Sequence, residues 1–365
     1  MELSIYIHVP FCTKKCPYCH FYVIPNQPRY HDLLTTGLKL EWEMQQEKIL
    51  PHHRIVSIYF GGGTPSLLST DAIRTVIDRF RPLPDDCEIT IEANPEDSSP
   101  ALFQALKEAG ITRLSFGVQS LDDRSLSILG RAHSAVQAKK AVHEAALAGF
   151  TNISIDLMYD LPDQTESSWR ATLDQIKDLP IQHLSLYNLT IEPHTSFYKQ
   201  KDKLIQPKPK TSLRLLSSAI DTLESLGFER YEISAFAKKE FESRHNLGYW
   251  TFRPFLGFGP SAFSYWNGER FQNTPNLQRY AKALQAGGSP VHFRETLPYP
   301  DNLNEQIAVG LRMKGGCRVP DGTPEKTRDA LVRLERMGLV LLGENRAQLT
   351  EKGKLFYDSV AVEIV

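Results

Sequence analysis

The sequence predicts an α/β protein: a partial (β/α)6 barrel of parallel strands, followed by a smaller C-terminal winged-helix-like α+β domain. Three observations predict it. Six short β-rich runs alternate with helix-like stretches at a spacing of roughly 30 residues, the mark of parallel strands joined by right-handed crossovers. No dinucleotide fingerprint accompanies them, which favours a barrel, expected to be partial, over a doubly wound sheet. Beyond Pro298 the pattern changes.

The strand candidates are 3–9, 55–60, 88–92, 113–118, 152–158 and 183–189, each rich in Ile, Leu, Val, Tyr or Phe. The helix candidates are 30–49, 70–79, 100–109, 135–148, 166–179 and 211–226. Ser69, Thr70 or Asp71 suits the N-cap of the second helix, where a short side-chain oxygen meets free backbone N–H groups. Ser99-Pro100 opens the third, with Pro in a first turn that needs no donor. Gly110, Gly149 and Gly227 close three helices at a left-handed position. Residues 199–210 hold five Lys, one Asp and two Pro and read as a solvated connection. The division expected is 1–235 for the barrel, 236–297 for a connecting region and 298–365 for the C-terminal domain. There, 331–342, Glu344-Asn345-Arg346 and 349–357 read as helix, strand, turn, strand, helix. Residues 301–365 carry ten acidic and ten basic side chains. A DNA-binding wing is usually net basic, so this domain reads as structural or as a lid.

Bulk properties narrow the function. The 365 residues are 41% hydrophobic and 23% charged, which is ordinary globular composition. A formal net charge of -1 gives no basic field to draw the chain to nucleic acid or to anionic membrane. No apolar run approaches the roughly 18–20 residues that span a bilayer. The first residues lack the basic stretch and apolar core of a signal peptide. A cytoplasmic protein with no integral membrane segment and no nucleic-acid partner is expected. Of five cysteines, three lie within eight residues, while Cys87 and Cys317 stand alone and read as buried or semi-buried thiols. That clustering argues for metal binding in a reducing compartment, not for a disulfide framework.

The clustered segment is Cys12-Thr13-Lys14-Lys15-Cys16-Pro17-Tyr18-Cys19, with C-x3-C-x2-C spacing, directly after the first strand. Function in such barrels sits on the loops after the strands' C-terminal ends. Three thiolates on one short loop cover three irons of a cubane and leave the fourth free for an outside ligand. A ferredoxin or a structural zinc site wants a fourth ligand. His20 or His8 completing a Cys3His zinc site is the competing reading.

This spacing, with an aromatic before the last Cys, resembles the hallmark of the radical S-adenosylmethionine (SAM) superfamily. The resemblance implies a [4Fe–4S] cluster on Cys12, Cys16 and Cys19, with SAM chelating the open iron. It implies that one electron from the reduced cluster cleaves SAM to methionine and a 5′-deoxyadenosyl radical, supplied by an electron donor such as flavodoxin or ferredoxin. It also makes the fold a radical SAM barrel.

Gly61-Gly62-Gly63-Thr64-Pro65 follows the second strand, where glycines let the backbone approach a ligand closely. Alone such a run is a turn; here it resembles the family's loop for the SAM amino group. Glu92 ends the third strand, Gln119 the fourth, Arg131 lies in Leu129-Gly130-Arg131-Ala132-His133, and Asp156 lies in the fifth strand. A carboxylate suits SAM's ammonium and ribose hydroxyls, and Arg suits its carboxylate. Each alone is commonly a satisfied surface or cap residue. In order, they resemble the branch that contains the oxygen-independent coproporphyrinogen III oxidases (HemN) and the HemW type. That resemblance spans essentially the whole chain and assigns Tyr6, Tyr18, Gly62, Gly63, Thr64, Glu92, Gln119, Arg131 and Asp156 to SAM. It designates no catalytic side chain.

Two features separate the members. The oxidases carry C-x3-C-x2-C-x-C and an arm ahead of the cluster strand; here Phe21 stands at the extra Cys position and the cluster strand starts at residue 3, so no arm is expected. His245-Asn246-Leu247-Gly248-Tyr249-Trp250 resembles the HNxxYW motif of the HemW type, which is associated with haem binding and transfer. An imidazole is a natural axial ligand and flanking aromatics suit a flat macrocycle, so His245, Tyr249 and Trp250 are the haem candidates. A packed loop with a core histidine is the plain alternative. The function implied is a haem chaperone in porphyrin metabolism, with haem and a haem-acceptor protein as partners. The runner-up is a radical SAM oxidase that decarboxylates coproporphyrinogen III. A winged-helix regulator with a sensory cluster comes third, opposed by the charge balance of 301–365.

Overall fold

The computed structural model describes residues 1–49 and 53–365. Six parallel strands form its centre in chain order: β1 (Glu2–Val9), β2 (Arg54–Gly62), β3 (Glu88–Ala93), β4 (Arg113–Gln119), β5 (Ile153–Tyr159) and β6 (His183–Asn188). Their crossovers carry α1 (Pro28–Ile49), α2 (Thr70–Arg79), α3 (Pro100–Glu108), α4 (Ala135–Leu147) and α5 (Glu166–Leu173), and α6 (Pro209–Ser225) follows β6. Local chemistry sets the boundaries. Ser69 accepts from the Ala72 amide at 3.2 Å and Ser99 from that of Leu102 at 3.2 Å. Gly110 and Gly149 end their helices at φ of +101° and +87°, where a side chain costs energy. The helix expected over 166–179 is interrupted: Asp174 caps it, and a 3-10 turn, Ile176–Asp178, completes the span.

The sheet extends beyond the six strands. Phe255–Phe258 pairs parallel with β1, and Phe263–Trp266, Glu269–Asn273 and Val291–Thr296 follow antiparallel. On the other side Ala235–Ala237 pairs antiparallel with β6, and Glu229–Glu232 pairs antiparallel with Ala235–Ala237 at the edge. The region read as connecting, 236–297, thus carries four strands of the main sheet; those runs are short and interrupted by Gly and Asn, which hides their alternation. The outermost strands are not hydrogen-bonded to each other among the described residues, so the barrel stays open.

The two faces of the sheet differ sharply. Ile5, Ile58, Ile91, Phe116, Ile155 and Leu184 point outward and pack under helix residues such as Trp42, Ile77, Phe103, Val142 and Trp169, all buried. The alternate residues point inward and are polar: Ser4, Tyr6 and His8; Ser57 and Tyr59; Glu88, Thr90 and Glu92; Arg113 and Ser115; Ser154 and Asp156; His183 and Ser185. Barrel interiors are ordinarily filled by branched apolar side chains.

After Pro300 the chain forms helices Asp301–Gly310 and Glu325–Arg336, a three-stranded antiparallel sheet (Cys317–Arg318, Arg346–Leu349, Val340–Leu342) and helices Glu351–Leu355 and Tyr357–Ile364. Ile307, Leu311, Leu331, Leu334, Leu349 and Val360 build its own core. The helix–hairpin succession is the winged-helix-like pattern. No helix among the described residues is long and apolar enough to cross a membrane.

Candidate cluster and cofactor site at the barrel mouth

The C-terminal ends of all six strands surround one cavity of about 510 Å³. Cys12, Cys16 and Cys19 line it together with Tyr18, Gly62, Gly63, Thr64, Glu92, Gln119, Arg131 and Asp156. Strand ends converge there because parallel strands share one direction, so their following loops meet on one face.

The cysteine loop is clamped by its neighbours. The Gly63 amide donates to the Val9 carbonyl at 2.8 Å and the Thr64 amide to that of Phe11 at 2.6 Å. A Cβ on Gly63 would lie 2.4 Å from the Phe11 oxygen, so only glycine permits this approach. On the other flank a Cβ on Gly130 would strike Pro17 at 2.9 Å, and the Phe197 amide donates to the Pro17 carbonyl at 2.9 Å. Tyr18 packs with Leu129, Met158, Leu189 and Phe197.

Donors converge on the sulfurs. The Thr64 hydroxyl lies 3.8 Å from Cys12 Sγ, and Arg131 Nη1 lies 3.5 Å from Cys16 Sγ. Burial pushes the Cys12 thiol up to about 11, against the lowering pull of Thr64, and raises that of Cys19. Arg131 is held by the Asn94 side-chain oxygen at 2.5 Å and the Gly117 carbonyl at 2.8 Å, with Glu96 at 3.8 Å; its Nε is buried without a partner among the described residues. Glu96 in turn is bonded to His133 Nδ1 at 2.7 Å. A three-thiol donor set beside a fixed cation and sulfur-directed donors fits a negatively charged iron–sulfur cluster. Among the described residues no three His, Cys, Asp or Glu gather as ligands of one metal ion. Thiolates that each bind a different iron have no need to.

The carboxylates stand deeper. Glu92 Oε1 accepts from the Tyr59 hydroxyl at 2.8 Å and Oε2 from the Gly62 amide at 3.2 Å. Burial raises Glu92 to about 7 and Asp156 to about 6. The Arg113 charge opposes both shifts; this side chain is 2% exposed, and its Nε has no partner among the described residues. Gln119 adopts φ of +66° at the end of β4, where a bulge turns the chain into the cavity.

Tyr6 does not line the cavity. It lies behind Gly61, with its hydroxyl 3.1 Å from His8 Nδ1. His8 Nε2 bonds the Tyr22 carbonyl at 3.0 Å, and burial lowers His8 to about 4. His20 stacks on Phe21, which is 56% exposed.

The haem candidates lie at the opposite end. His245 is on the helix Arg244–Trp250, under the N-terminal ends of β1, β2 and β3, and is 1% exposed. The Arg244 and His245 amides both donate to Glu88, each at 3.1 Å. His245 Nδ1 is 3.0 Å from Ser57 Oγ, which is hydrogen-bonded to Ser4 Oγ at 2.9 Å. Nε2 is hydrogen-bonded to the Tyr249 hydroxyl at 2.8 Å. Burial lowers His245 to about 3, which keeps the ring neutral. Trp250 lies under the Arg312 guanidinium, 4.2 Å from ring to charge. None of the three lines the mouth cavity.

The sequence reading missed Tyr59, Asn94 and Arg113 as parts of this site. Asn94 sits two residues after Glu92, and the other two follow a signal that was available: polar residues at every second position of otherwise apolar strands.

A barrel whose strand ends gather three cysteines, a glycine loop and paired carboxylates defines a class, and residues 6–176 match the model of the radical SAM superfamily. The chain is 34% identical to the heme chaperone HemW of Bacillus subtilis over 98% of its length and 97% of that protein's. It is 38% identical to the Escherichia coli heme chaperone HemW, covering 71% of this chain and 69% of that one. The solved coproporphyrinogen III oxidase (HemN) of Escherichia coli superposes with a TM-score of 0.84 over all of this chain and 90% of its own, at 24% identity, which speaks for the fold. The chain belongs to the HemW family of radical SAM proteins.

Proposed function

We propose that the protein is a cytoplasmic haem chaperone that binds haem and passes it to an acceptor protein, with a [4Fe–4S] cluster and SAM held at the barrel mouth. The observation that carries this reading is the end-to-end similarity to heme chaperone HemW, at 34% identity over 98% of the chain.

Cys12, Cys16 and Cys19 would hold three irons, and Arg131 would offset the cluster's negative charge. Glu92 and Asp156 would meet the ammonium and ribose hydroxyls of SAM, Arg131 its carboxylate, and the Gly62–Gly63 backbone would border its amino-acid end. Thr64, Gln119 and Tyr18 complete the wall, and Tyr6 supports it from behind. The cluster supplies one-electron chemistry when reduced by a donor such as flavodoxin or ferredoxin. The residues around it exclude water and fix the ligand's orientation. His245, Tyr249 and Trp250 are the proposed haem group. Iron ligation by His245 Nε2 requires the Tyr249 hydroxyl to leave that nitrogen, so haem binding there is coupled to a movement of the helix Arg244–Trp250.

The test is an anaerobic haem titration of cluster-reconstituted protein, wild type beside His245→Ala, followed by visible absorbance. Saturable binding near one equivalent, weakened or spectrally altered in the variant, is expected. Binding no stronger than to an unrelated control protein sinks the reading. Vinyl product from coproporphyrinogen III in an anaerobic assay with SAM and reductant would favour the oxidase instead.

A further inference from the structure

We propose that His245 is a positioning residue for the cavity at the far end of the barrel: its ring holds Tyr59 against Glu92 and so sets the carboxylate presented to the cofactor. The inference rests on the reading of Glu92 as part of the SAM site.

The argument is one of contacts. The rings of Tyr6, Tyr59 and His245 form a triangle, with centroids 6.3 Å apart for Tyr6–Tyr59, 4.9 Å for Tyr59–His245 and 6.4 Å for Tyr6–His245. From that cluster the Tyr59 hydroxyl reaches Glu92 Oε1 at 2.8 Å, while Glu92 Oε2 receives the Gly62 amide. On the Gly61 side of the cluster there is no slack. A Cβ on Gly61 would lie 2.9 Å from Tyr59, 3.0 Å from Tyr6 and 3.2 Å from Glu92 Oε1. On the other side His245 is itself fixed at three points, by Glu88 on its amide, Ser57 on Nδ1 and Tyr249 on Nε2. Removing the imidazole takes away the ring packed nearest to Tyr59. Tyr59 then gains room to slide from the carboxylate, because packed interiors tolerate voids poorly. The same histidine that the motif offers to haem thus braces the carboxylate offered to SAM. A movement that frees Nε2 for iron also relaxes Tyr59.

The bracing needs a ring, whereas iron ligation needs an imidazole, and this difference makes the proposal testable. The experiment measures SAM affinity of the cluster-reconstituted full chain, with the SAM-induced change in the electron paramagnetic resonance spectrum of the reduced cluster as a second readout. His245→Ala is expected to weaken SAM about tenfold, the cost of a lost hydrogen bond to a carboxylate. His245→Phe refills the space beside Tyr59 and restores affinity to within about threefold, without restoring an imidazole. Tyr59→Phe keeps the ring but loses the hydroxyl, and also weakens SAM about tenfold; adding His245→Ala to it costs little more, because both act through one contact. SAM affinity within about twofold of wild type in His245→Ala overturns the proposal, as does a His245→Phe variant no better than the alanine. Glu92→Gln separates the two readings. If it weakens SAM while His245→Ala does not, the bracing fails and the SAM site stands. If it leaves SAM affinity unchanged, both fall.

Discussion

At the mouth of the barrel, Cys12, Cys16 and Cys19 line an open cavity with donors already aimed at their sulfurs. At the floor, His245 is 1% exposed and both its ring nitrogens are bonded to protein. The cysteines were singled out by residue type and spacing and the His245 segment by resemblance, yet one site presents its groups and the other withholds them. The mouth is preorganised, so binding there costs little rearrangement. The floor must exchange internal hydrogen bonds for any external ligand, so binding there is conditional.

The largest effect expected tests the mouth. Cys16→Ala removes one of three iron ligands and abolishes cluster retention, seen as loss of iron, sulfide and visible absorbance after reconstitution. A variant that keeps a full cluster would place the ligands elsewhere. Next comes pH. Glu92 and Asp156 are raised above their ordinary range, so each is neutral below its own value. A ligand ammonium prefers the carboxylate, and below the raised value a proton must first leave. SAM affinity therefore rises with pH through the window from about 6 to about 7 and levels off above it, changing by up to about tenfold per pH unit on the acid side. A flat profile from pH 5.5 to 8 removes these carboxylates from the binding event.

The floor yields smaller effects. Glu88→Ala deprives the Arg244 and His245 amides of their acceptor and costs about 2 kcal/mol of stability, measured from the denaturant midpoint at constant slope. An unchanged midpoint means the helix is not held there. Smallest is Tyr249→Phe. It releases His245 Nε2 without disturbing the ring's other contacts, and haem binding tightens severalfold, as expected for about 1 kcal/mol of hydrogen bond no longer broken. Unchanged haem affinity moves the iron ligand away from His245 and makes the contrast between mouth and floor one of packing alone.

Much of the mouth was legible because it is local. The cysteine spacing, the Gly61–Gly63 run and the serine caps are each written within a few residues, and strand alternation places them on one end of a parallel sheet. The floor was not legible in the same way. His245 meets Ser57 across 188 positions of chain and Glu88 across 157. Those meetings follow from strand register and from the added strand Phe255–Phe258, which local patterns do not encode. Arg131 is intermediate: its charge is evident, but its grip by Asn94 depends on how β3 and β4 align. For the same reason Tyr59 reads as an ordinary strand aromatic until its neighbours across the barrel are known.

The polar lining of the barrel has a calorimetric consequence. Unfolding an apolar interior raises heat capacity, whereas exposing hydroxyls, imidazoles and carboxylates lowers it. Here unfolding releases Ser4, Ser57, Glu88, Thr90, Ser115, Ser154 and His183 to water along with the aliphatic outer face. The heat-capacity increment per residue should fall below that of a barrel filled with Val, Ile and Leu. The stability curve flattens accordingly, which spreads a given maximum stability over a wider range of temperature.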